Sequence, residues 1–274
     1  MTVPDGVARL VSPLVDAPSA SALLFDVDGT LAPIVAHPRD AKLIDGARPL
    51  LEELRGRYAL LGFVSGRGLD QLERIVSVSG CGYSGNHGME IRRPAGRLEI
   101  PETVVAYQEA IREFADRWPK RTLEERGIWI EDKRVSLSFH YRTALDTDQA
   151  RKFLDEVVRP AARKGGLKTG WGRRILEVLP PVDITKATAV RALLAPSDLR
   201  HAIYVGDDRT DVDAWSALRD MRQVGELEHV ACILAGSDET AKSVRNASDA
   251  SVDGPPGVLE LLELLAESTS RGAN

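Results

Sequence analysis

Residues 22–30, Ala-Leu-Leu-Phe-Asp-Val-Asp-Gly-Thr, decide the fold of this chain. The first four residues are all apolar and form a short continuous run, which is typical of a strand buried on both faces of a parallel sheet. Asp26 and Asp28 follow at once, and Gly29 then ends the strand. Residues two apart on an extended chain point the same way. Both carboxylates therefore reach one space at the carboxyl end of the strand, where open α/β sheets bind ligands.

Two neighbouring carboxylates repel each other, and their burial costs solvation energy, so a positive charge is expected between them. Mg²⁺ suits such a place, because it takes oxygen ligands and keeps waters that a phosphate can replace. A solvated Asp-x-Asp-Gly turn would have the same sequence. The stretch alone leaves both interpretations open.

The composition is that of an ordinary globular chain. Its 274 residues predict about two domains. The net charge of −5 argues against a nucleic-acid or membrane-surface partner. Cys81 and Cys232 fit neither a disulfide framework nor a metal site, so we expect reduced thiols in a cytoplasmic protein. No signal peptide is recognisable in residues 1–20, and no apolar run approaches the ~20 residues of a membrane span.

Apolar runs and helical periodicities alternate through both ends of the chain, which predicts a doubly wound parallel-sheet (Rossmann-like) α/β core. After the first strand, further strands are predicted at 59–64, 82–91, 202–205, 230–234 and 250–252. Helices are predicted at 44–58, 69–78, 185–194, from about 212, at 238–245 and at 258–266. The polar residues 268–274 are predicted to be frayed.

The middle of the chain has a different pattern. The order there is a helix at 103–118, an antiparallel hairpin at 128–131 and 135–141, a helix at 149–162 and a strand at 174–179. This order predicts a smaller α+β domain inserted into the core. The predicted domains are therefore a core formed by 1–102 and 181–274, and an insertion at 103–180.

Three predicted strands end in polar residues that suit chemistry at a phosphate. Beside Asp26 and Asp28, one strand runs into Ser65 and Arg67, and another into Asp207, Asp208 and Asp211; Lys186 begins a helix. Each has an ordinary explanation, as a helix N-cap, a polar loop or a solvated lysine. Their shared place at the carboxyl ends of strands favours one common site.

In this order the sequence resembles the haloacid-dehalogenase-like phosphatase superfamily. Asp26-Val27-Asp28-Gly29-Thr30 is similar to its first motif, Ser65 to its second, Lys186 to its third and Gly206-Asp207-Asp208 to its fourth. The resemblance implies a carboxylate nucleophile, Asp26, that forms an aspartyl-phosphate. It implies that Asp28 is the general acid and base, and that Ser65 and Lys186 bind the phosphoryl oxygens.

The same resemblance implies a Mg²⁺ ion. Asp26 and Asp207 would hold it directly, with the backbone carbonyl of Asp28, and Asp208 or Asp211 would help in or near its coordination shell. Phosphoryl transfer depends mainly on positioning and on charge stabilisation, which this set of residues suits.

More closely, the chain resembles the trehalose-6-phosphate phosphatases. Four segments carry the likeness: Ser65-Gly66-Arg67, Gly85-Asn86-His87-Gly88-Met89-Glu90, Glu131-Asp132-Lys133 with His140-Tyr141-Arg142, and Gly206-Asp207-Asp208-Arg209-Thr210-Asp211. The resemblance implies that the insertion is a cap that binds the sugar. The implied substrate-binding residues are Arg67, Glu131, Lys133, Arg142 and Glu177. As alternatives, Glu131 and Lys133 could form a surface ion pair, and Arg142 could be a surface arginine. His87 is interpreted as a structural residue or one at the edge of the site.

Three departures from that family concern the substrate more than the reaction. Val27 replaces a common aromatic residue, Ala187 replaces the glycine that usually follows the lysine, and Glu177-Val178-Leu179-Pro180 lacks the usual arginine before proline. We therefore expect a monomeric Mg²⁺-dependent phosphatase for a small phosphosugar, trehalose 6-phosphate. The alternatives are another phosphorylated disaccharide or pseudo-disaccharide, and a non-catalytic phosphosugar-binding regulatory subunit.

Overall fold

The computed structural model describes residues 3–35, 37–195 and 198–267, which form two compact units. The core unit comprises the described residues of Met1–Glu99 and Ile184–Asn274, and the inserted unit is Ile100–Asp183. That these units are a catalytic core and a cap stays a prediction. The residues predicted to be frayed, 268–274, lie outside the described part.

The elements follow in chain order. The strands are β1 (Ser21–Phe25), β2 (Leu60–Val64), β3 (Gly82–Gly85), β4 (Glu90–Arg92), β5 (Leu98–Glu99), β6 (Trp129–Asp132), β7 (Leu137–His140), β8 (Lys168–Gly172), β9 (Ile175–Leu179), β10 (His201–Gly206), β11 (His229–Gly236) and β12 (Ala250–Asp253). The helices are α1 (Asp5–Asp16), α2 (Ala47–Arg57), α3 (Leu69–Val76), α4 (Glu102–Val105), α5 (Gln108–Asp116), α6 (Lys120–Glu124), α7 (Thr147–Phe153), α8 (Arg159–Lys164), α9 (Lys186–Leu194), α10 (Asp211–Gln223), α11 (Lys242–Ala247) and α12 (Gly254–Glu267). A π-helical turn, Leu154–Val158, joins α7 to α8.

The core unit contains an eight-stranded sheet in the order β12-β11-β10-β1-β2-β3-β4-β5. The first six of these strands are parallel, and β4 and β5 extend the sheet in antiparallel fashion. Leu23 and Phe25 pack in a cluster with residues of α1, α2 and α12, whereas Ala22 and Leu24 pack in a second cluster with residues of α9 and α10. Strand β1 is thus covered on both faces, which confirms the predicted α/β class with a mostly parallel sheet.

The inserted unit has a four-stranded antiparallel sheet in the order β6-β7-β9-β8. One face packs on its own helices through Leu137, Phe139, Leu176 and Val178. Side chains alternate along a strand, so the neighbouring positions form the opposite, polar face.

Several predicted elements of the core unit were wrong in detail. Helix α1 was not predicted, because Pro4 and Pro13 obscure a helical pattern of buried Val7, Val11 and Leu14. The strand predicted at 82–91 is interrupted by a 3₁₀ turn, Asn86–Gly88. The helix predicted at 238–245 spans only Lys242–Ala247, because hydrogen bonds between Ser237 and Thr240 form a turn instead.

Two elements of the inserted unit were also predicted wrongly. The helix expected at 103–118 is divided into α4 and α5, because the Tyr107 amide donates to the Val104 carbonyl, a tighter i→i−3 bond. Strand β8 was not predicted, because Lys-Thr-Gly-Trp-Gly has no apolar run. Its pairing with β9 forms the strand. No helix of the described residues is long and apolar enough to cross a membrane.

Candidate functional site

Adjacent strands bring the predicted motifs to one edge of the core sheet. β10, β1 and β2 are parallel neighbours, and they run into Asp207, Asp26 and Ser65, respectively. The Asp26 amide donates to the Val205 carbonyl at 2.8 Å, which extends the pairing to the first carboxylate. The backbone of the parallel sheet therefore places these side chains together.

Lys186 is the first residue of α9, and its side chain is buried. Thr185 is the N-cap, and a reciprocal pair of hydrogen bonds between the two ends of the first turn fixes the start of the helix. The Lys186 ammonium donates to Asp26 Oδ1 at 2.8 Å and to Asp211 Oδ1 at 2.6 Å. One ammonium group thus joins two buried carboxylates. We call Asp26, Lys186, Asp207 and Asp211 the Lys186 cluster.

The surroundings of the Lys186 cluster disfavour negative charge on Asp26. Burial raises the pKa of Asp26 well above its usual value; Lys186 opposes this rise, and Asp211 and Asp207 add to it. Burial lowers the pKa of Lys186, but Asp211 and Asp26 outweigh burial and raise it above the usual range. Lys186 therefore stays charged, but its attraction does not offset the burial of Asp26 and the repulsion from Asp211 and Asp207.

These residues fit a divalent cation. One carboxylate oxygen from each of Asp26, Asp207 and Asp211 lies within 4.8 Å of the other two. Gly29 makes room for this group, since a Cβ at its position would lie 2.2 Å from Asp207 Oδ2. Carboxylate oxygens are the hard donors that Mg²⁺ takes, and Asp26 and Asp207 offer them here beside a third acidic side chain, Asp211.

Asp211 is fully occupied by hydrogen bonds. Its Oδ1 accepts from Lys186 at 2.6 Å and from the Tyr204 hydroxyl at 2.7 Å. Its Oδ2 accepts from the amides of Asp207 and Asp208 at 3.0 and 2.9 Å. A carboxylate offers about four acceptor positions, and all of them are used here. Asp211 thus holds the loop after β10 and orients Lys186.

Asp208 and Ser65 lie in different surroundings from each other. Asp208 is exposed, and its Oδ1 accepts from the Arg209 amide at 2.6 Å. Its carboxylate is not part of the group that Asp26, Asp207 and Asp211 form. Ser65 is buried, and its hydroxyl accepts from the Arg67 amide at 3.2 Å.

Asp28 is bound by Arg67 through both carboxylate oxygens. Arg67 Nε donates to Asp28 Oδ2 and Nη2 to Oδ1, each at 2.6 Å, and Nη1 donates to the Pro38 carbonyl at 2.9 Å. Such a bidentate pair fixes the plane of the carboxylate. The structure places Arg67, predicted to bind substrate, against the predicted general acid.

The segment after β3 supports the Ser65 loop. The His87 amide donates to the Ser65 carbonyl at 3.0 Å, and the His87 ring covers Gly66, where a Cβ would lie 2.6 Å from it. Buried Glu90 accepts from the Asn86 side chain at 2.7 Å and from the Leu69 amide at 2.8 Å. No role was predicted for Glu90; its burial became evident only in the fold.

The inserted unit brings three predicted sugar-binding residues to the polar face of its sheet. Glu131 and Glu177 are both in register with Ser138 of β7, from opposite sides. Lys133 Nζ lies 3.4 Å from Glu177 Oε1, and both side chains are largely buried. Arg142, by contrast, donates to the Arg173 carbonyl at 2.8 Å. His140, which had no predicted role, binds Glu131 at 2.8 Å.

Comparison with known proteins gives consistent results. The trehalose-phosphatase family model matches residues 24–250. The trehalose-phosphate phosphatase of Mycobacterium avium (strain 104) is 30% identical over 259 residues, which cover 92% of this chain and 63% of that protein. The chain thus spans a little under two thirds of the length of that relative.

Solved structures show the same fold. The C-terminal domain of the C. albicans trehalose-6-phosphate phosphatase matches with a TM-score of 0.74 and 25% identity, over 94% of this chain and 96% of that chain. The C-terminal domain of the Candida albicans trehalose synthase regulatory protein matches with a TM-score of 0.66 and 12% identity, over 95% of this chain and 98% of that chain. At that identity the second match concerns the fold alone. Because the family model covers most of the sequence, the chain belongs to the trehalose-phosphatase family.

Proposed function

We propose that this chain is a Mg²⁺-dependent phosphatase that hydrolyses trehalose 6-phosphate to trehalose and phosphate. The observation that carries the proposal is the buried ammonium of Lys186, shared by Asp26 and Asp211 beside Asp207. A binding module has no need of a buried carboxylate nucleophile with a cation beside it. The family match supports the class of substrate.

The chemistry proceeds in two displacements. Asp26 attacks phosphorus, a new P–O bond forms to its carboxylate, and the bond to the sugar oxygen breaks. Asp28 gives its proton to the departing sugar oxygen. Asp28 then takes a proton from water, whose oxygen attacks the aspartyl-phosphate, so that phosphate leaves and Asp26 is restored. Ser65 and Lys186 bind the phosphoryl oxygens throughout.

Asp26 and Asp207, with the backbone carbonyl of Asp28, are the proposed ligands of Mg²⁺. When bound, Mg²⁺ supplies positive charge at the phosphoryl oxygens. Asp211 has its acceptor positions filled, so we assign it the task of orienting Lys186 and the loop of Asp207. Asp208 is exposed and is assigned a place outside the coordination shell.

Arg67 is assigned to Asp28 in this proposal, because both of its contacts with that carboxylate are short. One Asp28 oxygen must turn away from the guanidinium to reach the sugar oxygen. Binding of substrate by Arg67 itself stays a prediction, and so does binding by Arg142.

Sugar recognition is assigned to Glu131, Lys133 and Glu177 on the polar face of the inserted unit. Charged groups that hydrogen-bond sugar hydroxyls discriminate sharply, because a wrong ligand leaves buried polar groups unpaired. The three residues are largely buried, which argues against the surface ion pair that the sequence left open. We also propose a monomer in the cytoplasm, which the two buried, free cysteines suit.

The test is phosphate release with Mg²⁺ and with EDTA, from trehalose 6-phosphate, sucrose 6-phosphate, glucose 6-phosphate and p-nitrophenyl phosphate. We expect metal-dependent release with a strong preference for trehalose 6-phosphate. A preference for another disaccharide phosphate would support the proposed reaction and contradict the proposed substrate. Binding of trehalose 6-phosphate without release would contradict the proposal and support a regulatory subunit.

A further inference from the structure

The polar face of the inserted sheet carries one buried histidine to which the proposed function gives no task. His140 is the last residue of β7, and its side chain is 6% exposed. Its Nε2 lies 2.8 Å from Oε2 of Glu131, whose side chain is 9% exposed. The pair is therefore almost dry, so the hydrogen bond is a strong constraint on both groups.

The strand register explains why these two residues meet. Trp129 of β6 is opposite His140, and Glu131 is opposite Ser138. Residues two apart share a face, so Glu131 is a diagonal neighbour of His140 within reach of a long side chain. The alternating residues Leu137 and Phe139 point to the apolar core.

A stacked ring fixes the plane of the histidine. The Trp129 and His140 rings are 3.9 Å apart, with an angle of 4° between their planes. With its plane fixed by this stacking, the imidazole keeps one edge towards the Glu131 carboxylate. His140 on the neighbouring strand thus holds the Glu131 carboxylate, so the orientation of this carboxylate does not depend on the flexible Glu131 side chain alone.

The charge state of the pair agrees with this geometry. Burial lowers the pKa of His140, while Glu131, its hydrogen-bond partner, opposes that change, and the net direction is downward. Lys133 and Glu177 are the other charged groups acting on the ring. A neutral imidazole carries one N–H, and here a carboxylate at Nε2 selects the Nε2–H form.

We propose that His140 is a positioning residue: it holds the Glu131 carboxylate in the orientation in which that carboxylate accepts hydrogen bonds from sugar hydroxyls. This inference rests on the proposed function and deepens its assignment of Glu131. A long acidic side chain loses rotamer freedom when it binds a ligand, and an order imposed beforehand removes part of that cost.

Two variants separate the hydrogen bond from the stacking. His140→Phe keeps a flat ring against Trp129 and removes the donor, whereas His140→Gln keeps an N–H donor of similar reach. We expect KM for trehalose 6-phosphate to rise about tenfold in His140→Phe, with kcat within about twofold. We expect His140→Gln to restore much of that loss. Neither should alter the hydrolysis of p-nitrophenyl phosphate.

The matched control is His201→Phe, a buried histidine at the start of β10 in the core unit. This variant shows how far a His→Phe substitution in a strand lowers activity and the melting temperature in general. Equal losses on both substrates in His140→Phe, together with a lower melting temperature, would indicate a merely structural role and overturn the proposal. An unchanged KM for trehalose 6-phosphate would overturn it as well.

A double-mutant cycle with Glu131→Ala tests whether His140 acts through Glu131. If it does, His140→Phe adds little to the KM of the Glu131→Ala variant, and the two changes are far from additive. Additive changes would show that His140 contacts the sugar or acts by another route, against the proposal.

A spectroscopic readout keeps this inference separate from the proposed function. Long-range ¹H–¹⁵N spectra of the imidazoles, with the His140 signal assigned by its loss in His140→Gln, should show the Nε2–H form at neutral pH. In Glu131→Ala, the preference of the ring for the Nε2–H form should be lost. If the wild type hydrolyses no phosphosugar, the proposed function fails, and these spectra alone decide whether His140 holds Glu131; an Nδ1–H ring overturns it.

Discussion

At the scale of the residue, Asp26 has surroundings that an ordinary surface aspartate lacks. It is buried, it is bound to Lys186 at 2.8 Å, and two more carboxylates stand near it. In such surroundings an amide cannot replace the carboxylate as nucleophile, although it has the same shape.

Asp26→Asn should therefore lower kcat for trehalose 6-phosphate by roughly 10⁴-fold or more, as for other deleted nucleophiles. Phosphate release measures the effect, and circular dichroism shows whether the variant is folded. Activity near that of the wild type in a folded variant would remove Asp26 from its role.

Asp211 differs from its neighbour Asp213 in the same helix, since Asp211 is buried with four hydrogen bonds and Asp213 is exposed. Asp211→Asn should lower the free energy of unfolding by about 2–3 kcal/mol, because the amide nitrogen of asparagine cannot accept hydrogen bonds and the charged bond with Lys186 is weakened. Asp213→Asn should change it by less than about 0.5 kcal/mol. Urea unfolding measures both, and equal effects would contradict the assigned role of Asp211.

Arg67→Lys tests the pair with Asp28. Lysine lacks the planar fork that binds both carboxylate oxygens. We expect kcat for trehalose 6-phosphate to fall about 10²-fold, because its sugar oxygen needs a proton from Asp28. The loss on p-nitrophenyl phosphate should be smaller, since p-nitrophenolate leaves without a proton and only the hydrolysis of the aspartyl-phosphate still needs Asp28. A rise of KM on both substrates would instead support phosphate binding by Arg67.

At the scale of the element, the tight turn after β1 lies close to the loop after β10. Gly29 has a φ of +84°, and the space for its missing Cβ is filled by the Asp207 carboxylate. Glycine is therefore favoured at position 29 for two reasons: it adopts the positive φ of the turn, and it leaves space for the Asp207 carboxylate.

Gly29→Ala should displace Asp207 and raise the Mg²⁺ concentration needed for half-maximal activity by about tenfold, which corresponds to ~1.4 kcal/mol. Gly56→Ala is the matched control, because Gly56 lies in α2 with no heavy atom within 4 Å of an added Cβ. The control should leave the Mg²⁺ dependence unchanged. An unaltered Mg²⁺ dependence in Gly29→Ala would separate this turn from the cation site.

At the scale of the whole molecule, the site joins parts of the chain that lie far apart. Asp26 and Lys186 are 160 residues apart in sequence, and the inserted unit separates them along the chain. A cation that binds Asp26 and Asp207 stabilises the folded core unit, because the unfolded chain does not bring these residues together.

Mg²⁺ at about 100 times its dissociation constant should stabilise the protein by ~2.7 kcal/mol and raise the melting temperature by about 5–10 °C. Differential scanning calorimetry with Mg²⁺ and with EDTA measures the shift. Asp207→Asn should abolish most of it. An equal shift in that variant would place the cation elsewhere.

The sequence by itself determined the class of the core, because apolar runs and helical periodicities are local patterns. Residues 22–25 identified β1, and the polar residues after three strands identified the sheet edge, since parallel strands end at one edge. Local patterns were insufficient where turns or pairing decide the structure. Strand β8 exists through its pairing with β9, and the segment 103–118 is divided by one tighter turn.

Only the tertiary structure decided which side chains are partners. Asp28 is held by Arg67 from the next strand's loop, Asp211 is filled by hydrogen bonds, and His140 is bound to Glu131 by strand register. Such contacts depend on how strands and loops lie in space, and their strength comes from burial in a medium of low polarity. Neither the distance across the fold nor the burial is present in the order of the residues.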